Sequence, residues 1–366
     1  MFTEVLKCSR WLVALLLLVS ASVSAAGEDF LPLPQVDQLP PAGSGTFSIV
    51  VIPDTQAYRT QAAKDGQEKK VITNSIFSAH TQWVVDHLAD QRIAFVSHVG
   101  DIVDRDEPGQ WAVARAMMDR LHGRVPYGIS VGNHDMTAAG NSSLFQRFFP
   151  ASRFEDFPWY GGTFAGHDGK PEISGNNANS YQLFSAGGMD FVFLHLECNA
   201  PDDVLEWADT VLEQHADRRA LITSHMGLGP QAKPEKSRDY FDAPKGRMQW
   251  TKRHGERGNT PQQMWEKCFR RHANVFLIQS GDQSRTQARA QAVTGDAGNR
   301  VNEFLCDYST GWLRLYRFHP AQDMVEAWTF NPATGALCER SRYVPDRQAH
   351  LFRFSYPMTG PAAAGD

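Results

Sequence analysis

The chain has 366 residues, of which 42% are hydrophobic and 21% charged, and a formal net charge of -5. That is an ordinary globular composition, with enough chain to bury one large core or two small ones. The balance excludes a global basic field, so nothing in it points to nucleic acid as the main partner.

The first element is an address. Lys7 and Arg10 precede the apolar run from Trp11 to Val19, and small residues follow from Ser20 to Ala26. This order predicts a secretory signal peptide over residues 1–26, cleaved after Ala25 or Ala26, and a secreted or periplasmic protein. The apolar run is shorter than the ~20 residues of a membrane span, so no span is expected after cleavage. Cys8 leaves with the leader. Cys198, Cys268, Cys306 and Cys338 remain; an exported chain permits disulfides, and four cysteines allow three pairings. Their wide spacing fits buried thiols with at most one bridge.

Residues 27–46 read as a linker, with Pro32, Pro34, Pro40 and Pro41 ahead of Gly43-Ser44-Gly45. A domain is expected over residues 47–335. Phe47 to Ile52 predicts a buried strand, Lys70 to Leu88 a helix, Ile93 to Val96 a strand, Gln110 to Leu121 a helix and Val125 to Val131 a strand. This βαβαβ beginning implies parallel pairing with helices on the sheet face. Ser180 to Phe184 and Phe191 to Leu196 predict a hairpin about Gly187-Gly188. A helix follows over Asp202 to His215, capped by Asp202 or Asp203, then a strand over Ala220 to Thr223. Thr260 and Pro261 open another helix, as cap and first residue. Further strands are predicted at Val275 to Ile278, Val301 to Leu305, Leu313 to Phe318 and Val325 to Phe330. Residues 336–366 form an extension, with disorder expected in the Pro/Gly/Ala-rich tail after Pro357. Three stretches read as loop insertions: Met136 to Asn179, Met226 to Asn259 and Asp282 to Gly298.

The chemistry lies just past the apolar strands. Asp54-Thr55-Gln56 follows the first, His98 to Asp104 the second, Gly132-Asn133-His134-Asp135 the third, Ser224-His225 the strand at Leu221, and Gly281-Asp282-Gln283-Ser284 the strand at Phe276. Strand ends of one sheet share a rim, so these groups can converge without tight sequence spacing. Converging carboxylates repel unless a cation neutralises them, and oxygen with imidazole is a donor set for divalent metals. Taken singly, each residue has an ordinary explanation as turn, cap or packed histidine. Their joint placement at successive strand ends is what points to a metal site, with Asp101 as the shared carboxylate.

These segments resemble the calcineurin-like metallophosphoesterase family. Its pattern is Asp-x-His, Gly-Asp-x-x-Asp, Gly-Asn-His-Asp/Glu, a lone His and Gly-His-x-His. This chain has Asp54-Thr55-Gln56, Gly100-Asp101-Ile102-Val103-Asp104, Gly132-Asn133-His134-Asp135, His225 and Gly281-Asp282-Gln283-Ser284, in the same order. Pro53-Asp54-Thr55-Gln56, and the stretch around Asp307-Tyr308 and Gly311 to Leu315, look like a branch of the family with Gln in the first motif.

The resemblance implies an α/β fold, a four-layer α/β/β/α sandwich. It implies a phosphoesterase that hydrolyses a small or polymeric phosphomonoester or phosphodiester with a metal-bound hydroxide. Asp54, Gln56 and Asp101 would hold one of two divalent ions, and Asp101, Asn133, His225 and Asp282 the other. His134 would be the catalytic histidine. Asp104 would brace the loop from behind the ligands, and His98 would pack behind them.

The last motif departs from the family. Asp282 and Ser284 stand where the family has two ligating histidines, which leaves Asp54 and Asp101 as the strong ligands of the first ion. The oxygen-rich set favours hard ions such as Mn²⁺, Mg²⁺ or Ca²⁺ over Fe or Zn²⁺. It also raises the alternative of a catalytically impaired, phosphate-binding relative. The insertion carrying Lys233, Lys236, Arg238, Lys245, Arg247, Lys252, Arg253 and Arg257 reads as a solvated loop, or as a lid that attracts phosphate. Trp159 and Tyr160 could stack on a base or sugar, or simply pin their loop.

Overall fold

The computed structural model describes residues 29–61, 71–229, 240–241, 247–248, 251–308 and 310–359. The expected leader, the Lys233, Lys236, Arg238 and Lys245 side chains of the basic insertion, and the tail beyond residue 359 lie outside them. Among the described residues no helix is long and apolar enough to cross a membrane.

The strand from Phe47 to Ile52 shows why the fold has four layers. Val50 and Ile52 face one apolar cluster, while Ile49 and Val51 face another. Strand side chains alternate between faces, so a strand apolar at four successive positions, Ile49 to Ile52, must be covered on both. In chain order the strands of the two large sheets are β1 (Leu31–Pro32), β2 (Phe47–Ile52), β3 (Ile93–His98), β4 (Tyr127–Ile129), β5 (Tyr160–Thr163), β6 (Ser180–Ala186), β7 (Met189–Leu196), β8 (Arg219–Ser224), β9 (Val275–Ser280), β10 (Ala288–Thr294), β11 (Arg300–Cys306), β12 (Leu313–His319), β13 (Met324–Phe330) and β14 (Phe352–Ser355). One seven-stranded sheet runs β1-β14-β13-β12-β2-β3-β4, and the other runs β10-β11-β9-β8-β7-β6-β5.

Phe95 of β3, Phe191 and Phe193 of β7, and Phe304 of β11 fill the space between the sheets. Helices α1 (Ser75–Asp86) and α2 (Pro108–Met118) cover the outer face of the first sheet through Phe77, Val84, Trp111 and Met118. Helices α3 (Asp202–Gln214) and α4 (Pro261–Lys267) cover the second through Val204, Leu205, Met264 and Trp265. The result is the expected four-layer α/β/β/α sandwich.

Local chemistry sets the ends of several elements. Gly187 and Gly188, both with positive φ, make the two-residue turn between β6 and β7. Thr260 and Gln263 form a complete capping box ahead of Pro261. Helix α3 differs from expectation: Pro201 is the N-cap, and Asp202 and Asp203 lie in the first turn, where their charge favours the helix dipole. Helix α1 starts later than expected because Asn74 caps it, accepting from the Phe77 N–H, while Val71 to Thr73 pairs with Arg59 to Gln61 as a short ribbon.

The segments read as linker and extension are packed. Strand β1 pairs with β14, and Phe30 stands edge-on to Phe304, Phe352 and Phe354 at 5.4 to 6.1 Å. Proline marks an extended path here, at a sheet edge where no N–H is needed. Strand β10 also lies inside the stretch expected as a loop insertion from Asp282 to Gly298. The four described cysteines are all free and buried, so the possible bridge does not form. Trp159 and Tyr160 pin their loop: Trp159 packs on Phe157 and Tyr127, and Tyr160 stacks on Phe154.

A polar bridge crosses between the sheets, where Ser97 Oγ lies 2.9 Å from His195 Nε2 and 2.8 Å from Thr223 Oγ1. Burial holds His195 at about 3 and His80 at about 4, against an ordinary 6.5. Both therefore stay neutral in the native state at pH values where the unfolded chain has bound the proton. Because the unfolded state then carries more protons, stability falls on acidification from pH 6.5 towards 4, by about 1.4 kcal/mol per pH unit for each histidine. Urea midpoints measured across that range should show the slope. Phe30→Ala should cost about 3 kcal/mol in the same assay at pH 7; a residue in a free linker would cost nothing.

Candidate metal centre

Parallel pairing sets the ends of β2 and β3 side by side in one sheet and those of β8 and β9 side by side in the other, and the site lies where these two rims meet rather than on the rim of a single sheet. The turns beyond them are tight. Asp101 and Asp282 both adopt the left-handed region, at φ 50° and 66°, a conformation aspartate tolerates better than most side chains. A Cβ added at Gly132 would lie 2.1 Å from Asp101 Oδ1, and one at Gly281 would lie 2.3 Å from Asp54 Oδ1. Glycine at these two positions leaves the carboxylates room to enter the site.

Asp54, Asp101 and His225 are buried, with one ligand atom from each lying within 4.8 Å of the others. His225 Nδ1 lies 3.0 Å from the Val99 carbonyl, which can only accept, so Nδ1 carries the hydrogen. Nε2 is then the bare nitrogen. It points at Asp101 Oδ1 at 3.2 Å and Asp282 Oδ1 at 3.6 Å, with no hydrogen-bond partner. A lone pair facing carboxylate oxygens needs a proton or a cation between them. Asp54 Oδ1 and Asn133 Oδ1 are likewise buried without a partner. These are oxygen and imidazole donors in excess of the available hydrogens, which fits a divalent ion.

The electrostatics agree. Burial, then the charges of Asp307, Asp101 and Asp282, push the Asp54 carboxyl well above the usual range. Burial would also raise Asp101, but His225 and His134 draw it below. Burial would lower His225, yet Asp101, Asp282 and Asp54 together hold it well above 6.5, so in the metal-free chain a proton takes the Nε2 position that an ion would have to displace. A buried acidic cluster of this kind is costly until cations fill it.

The remaining expected residues fall as follows. Gln56 donates from Nε2 to Asp101 Oδ2 at 2.8 Å, so it touches the carboxylate expected to be shared rather than turning its amide nitrogen away from it. The Asp282 N–H donates to Asp54 Oδ2 at 3.3 Å, and Gln283 donates to Asp282 Oδ2 at 2.9 Å. His134 is half-buried. Its N–H donates to Asp101 Oδ1 at 2.9 Å, and its Nδ1 donates to the Asp104 carbonyl at 2.7 Å, leaving Nε2 as the nitrogen that can exchange a proton. His98 accepts from the Gly100 N–H at 3.1 Å and bonds Thr55 Oγ1 at 3.1 Å; burial lowers it to about 3, so it serves as a neutral spacer behind the ligands. Ser284 is exposed.

One expected role changes hands. The Asp104 side chain is 47% exposed, and only its carbonyl takes part. The carboxylate that braces the loop is Asp135, which accepts N–H bonds from Gly132 at 2.8 Å, Val103 at 3.1 Å and Ile102 at 3.2 Å. Its position directly after His134 was the available signal, since an aspartate in a tight turn commonly bonds nearby backbone. Asp307, outside the expected set, likewise stands just past an apolar strand, Val301 to Leu305.

Of the basic insertion, His254 is buried, lying 2.9 Å from the Cys198 carbonyl and 3.9 Å from Glu197, and Arg257 lies 3.7 Å from Asp203. A second cluster, Asp209, Cys268 and His272, lies away from the rim. There Asp209 already pairs with Arg271 and His272, both at 2.8 Å.

The sequence pattern of calcineurin-like phosphoesterases matches residues 47–257. The uncharacterized protein YvnB of Bacillus subtilis (strain 168) is 26% identical over 335 residues, covering 88% of this chain; the chain spans only 22% of that protein's length. A dimetal phosphatase from Danio rerio aligns at 14% identity over 85% of this chain and 99% of its own, with a TM-score of 0.48. The 5'-nucleotidase precursor of Thermus thermophilus aligns at 14% identity over 82% of this chain and 56% of its own, with a TM-score of 0.45.

Asp135→Ala should cost about 3 kcal/mol or more, because it strands three buried N–H groups at once. It should also weaken divalent-metal binding through the loosened loop. Urea unfolding and calorimetric metal titration of the same protein would read both effects.

Proposed function

The chain belongs to the calcineurin-like phosphoesterase family, and from that premise we propose that it is a metal-dependent hydrolase of phosphoric esters. The observation that carries the reading is the bare Nε2 of His225 aimed at two carboxylates, beside the unpartnered oxygens of Asp54 and Asn133. Asp54 and Asp101 would hold one divalent ion, with Gln56 beside the shared carboxylate. Asp101, Asn133, His225 and Asp282 would hold a second. Two such ions, when bound, would lower the pKa of a bridging water and offset the charge of the phosphoryl oxygens.

The chain's own residues supply the rest. Asp101 lies between the two ligand groups, fixed by Gln56 and by the His134 N–H. The Asp104 carbonyl holds the Nδ1–H of His134, which leaves Nε2 to take up a second proton; as the imidazolium it can then give that proton to the departing oxygen or a hydrogen bond to the transition state. Asp135 keeps the loops carrying Asp101 and Asn133 in register. Substrates of this reading are small or polymeric phosphate esters. Export to the periplasm or exterior belongs to the same proposal, on the basic, apolar and small-residue order of residues 7–26. A preference for Mn²⁺ or Mg²⁺ over Zn²⁺ follows from the oxygen-rich donors.

Metal-stripped protein should hydrolyse a chromogenic phosphodiester or its monoester only after a divalent ion is restored. Asp101→Asn should abolish that turnover, and His134→Ala should lower kcat by about 10²–10⁴-fold while metal still binds. A folded protein that binds metal and phosphate yet turns over neither ester with any of Mn²⁺, Mg²⁺, Ca²⁺ or Zn²⁺ would instead be the phosphate-binding relative.

A further inference from the structure

We propose that Asp307 is a metal ligand of this centre, replacing a donor that the altered last motif no longer provides. The inference rests on reading the rim as a divalent-metal site. Strand β11 runs parallel to β9 with Leu305 opposite Ser280. Each strand then continues two residues to an aspartate, Asp307 and Asp282, so the register sets these carboxylates side by side on the rim. The Asp307 N–H donates to the Gln287 carbonyl at 2.9 Å, and the Gln287 N–H in turn donates to the Gln283 carbonyl at 2.8 Å. Asp307 is thereby held against the very loop, Gly281 to Ser284, that departs from the family pattern.

Asp307 is only 2% exposed, and its Oδ1 has no hydrogen-bond partner. A buried aspartate kept for structure is normally surrounded by donors, because an unsatisfied carboxylate oxygen is expensive to bury. Here the neighbouring charges are mostly acids. The charges that act on it are chiefly those of Asp282 and Asp101, ahead of His225. Of the charges acting on Asp54, that of Asp307 is the largest, ahead of Asp101 and Asp282. Asp54 Oδ1 is likewise buried without a partner while its Oδ2 accepts the Asp282 N–H, so Asp54 and Asp307 flank the same altered loop, each with one oxygen unmet. Ser284, the other residue of the altered motif, is exposed and leaves that need unmet. A carboxylate in this place makes the site harder and more anionic than a histidine would, which favours Mn²⁺ or Mg²⁺.

The test uses the full chain stripped of metal, with Asp307→Asn beside it, titrated calorimetrically with Mn²⁺ and melted with and without the ion. The expected result is at least a tenfold loss of affinity for one ion. The metal-free variant should melt at the same or a higher temperature than the metal-free parent, because one charge has left a repelling cluster. A variant that binds Mn²⁺ as the parent does would overturn the proposal. So would a metal-free variant that melts lower while its metal-induced shift is unchanged, since that is the mark of a structural aspartate. Anomalous diffraction from the Mn²⁺-loaded parent gives a second reading that needs no variant. A metal to Asp307 Oδ1 distance of about 2.0–2.6 Å supports ligation, and a separation without contact refutes it. If the parent binds no divalent ion at all, the metal-centre reading itself fails; that outcome is separate from one in which the parent binds and the variant binds equally.

Discussion

The constraint on which this molecule depends is the burial of like charge. Asp54, Asp101, Asp282 and Asp307 gather at one rim: the last three all raise Asp54, and Asp101 and Asp282 also raise Asp307. One imidazole, His225, stands among them, and its bare nitrogen faces oxygen. One imidazolium offsets only part of that charge, and a cation in the site would offset more. Much of the surrounding architecture serves to keep these groups from relaxing apart. Turns are held in left-handed geometry at Asp101 and Asp282, and glycines clear the space in front of Asp101 and Asp54. A fully buried aspartate, Asp135, clamps one loop to the next through three N–H bonds.

The scaffold holds this arrangement because both sheets are covered on both faces. Apolar residues on each side of β2 and β7 lock these strands between an inner aromatic layer and outer helices. Strand ends inherit that rigidity, and a site built from strand ends is better positioned than one built on loops. The bridge from Ser97 to His195 and Thr223 ties the sheets together with polar side chains. His98 and Thr55 continue a polar layer directly behind the ligands. A metal site needs such backing, since the groups behind the ligands set their orientation.

Most of the fold was legible because its signals are local. Uninterrupted apolar runs marked β2, β3, β8 and β9, two adjacent glycines marked the β6–β7 turn, and Thr260-Pro261 marked the start of α4. Where local signals were ambiguous, tertiary contacts decided. Proline-rich residues 31–32 read as linker, yet they form an edge strand because β14 offers a partner and Phe30 finds an aromatic pocket. Strand β10 was hidden in a polar stretch because its outward face is half-exposed, and antiparallel pairing with β11 supplies what its composition lacks.

For the site, the sequence by itself determined the inventory. A donor residue follows each of five apolar strands, and that order is written in the chain whatever the fold does with it. Only the tertiary structure decided which donors converge, because convergence depends on the register between strands far apart in sequence. Register sets Asp307 beside Asp282. The turn after β3 sends the Asp104 side chain outward, so that its carbonyl, and the carboxylate of Asp135, take the supporting roles. The hydrogen bond from His225 to Val99 decides which imidazole nitrogen is bare. Chemistry at this rim requires atoms within a few Å of one another, and sequence order alone does not specify distance.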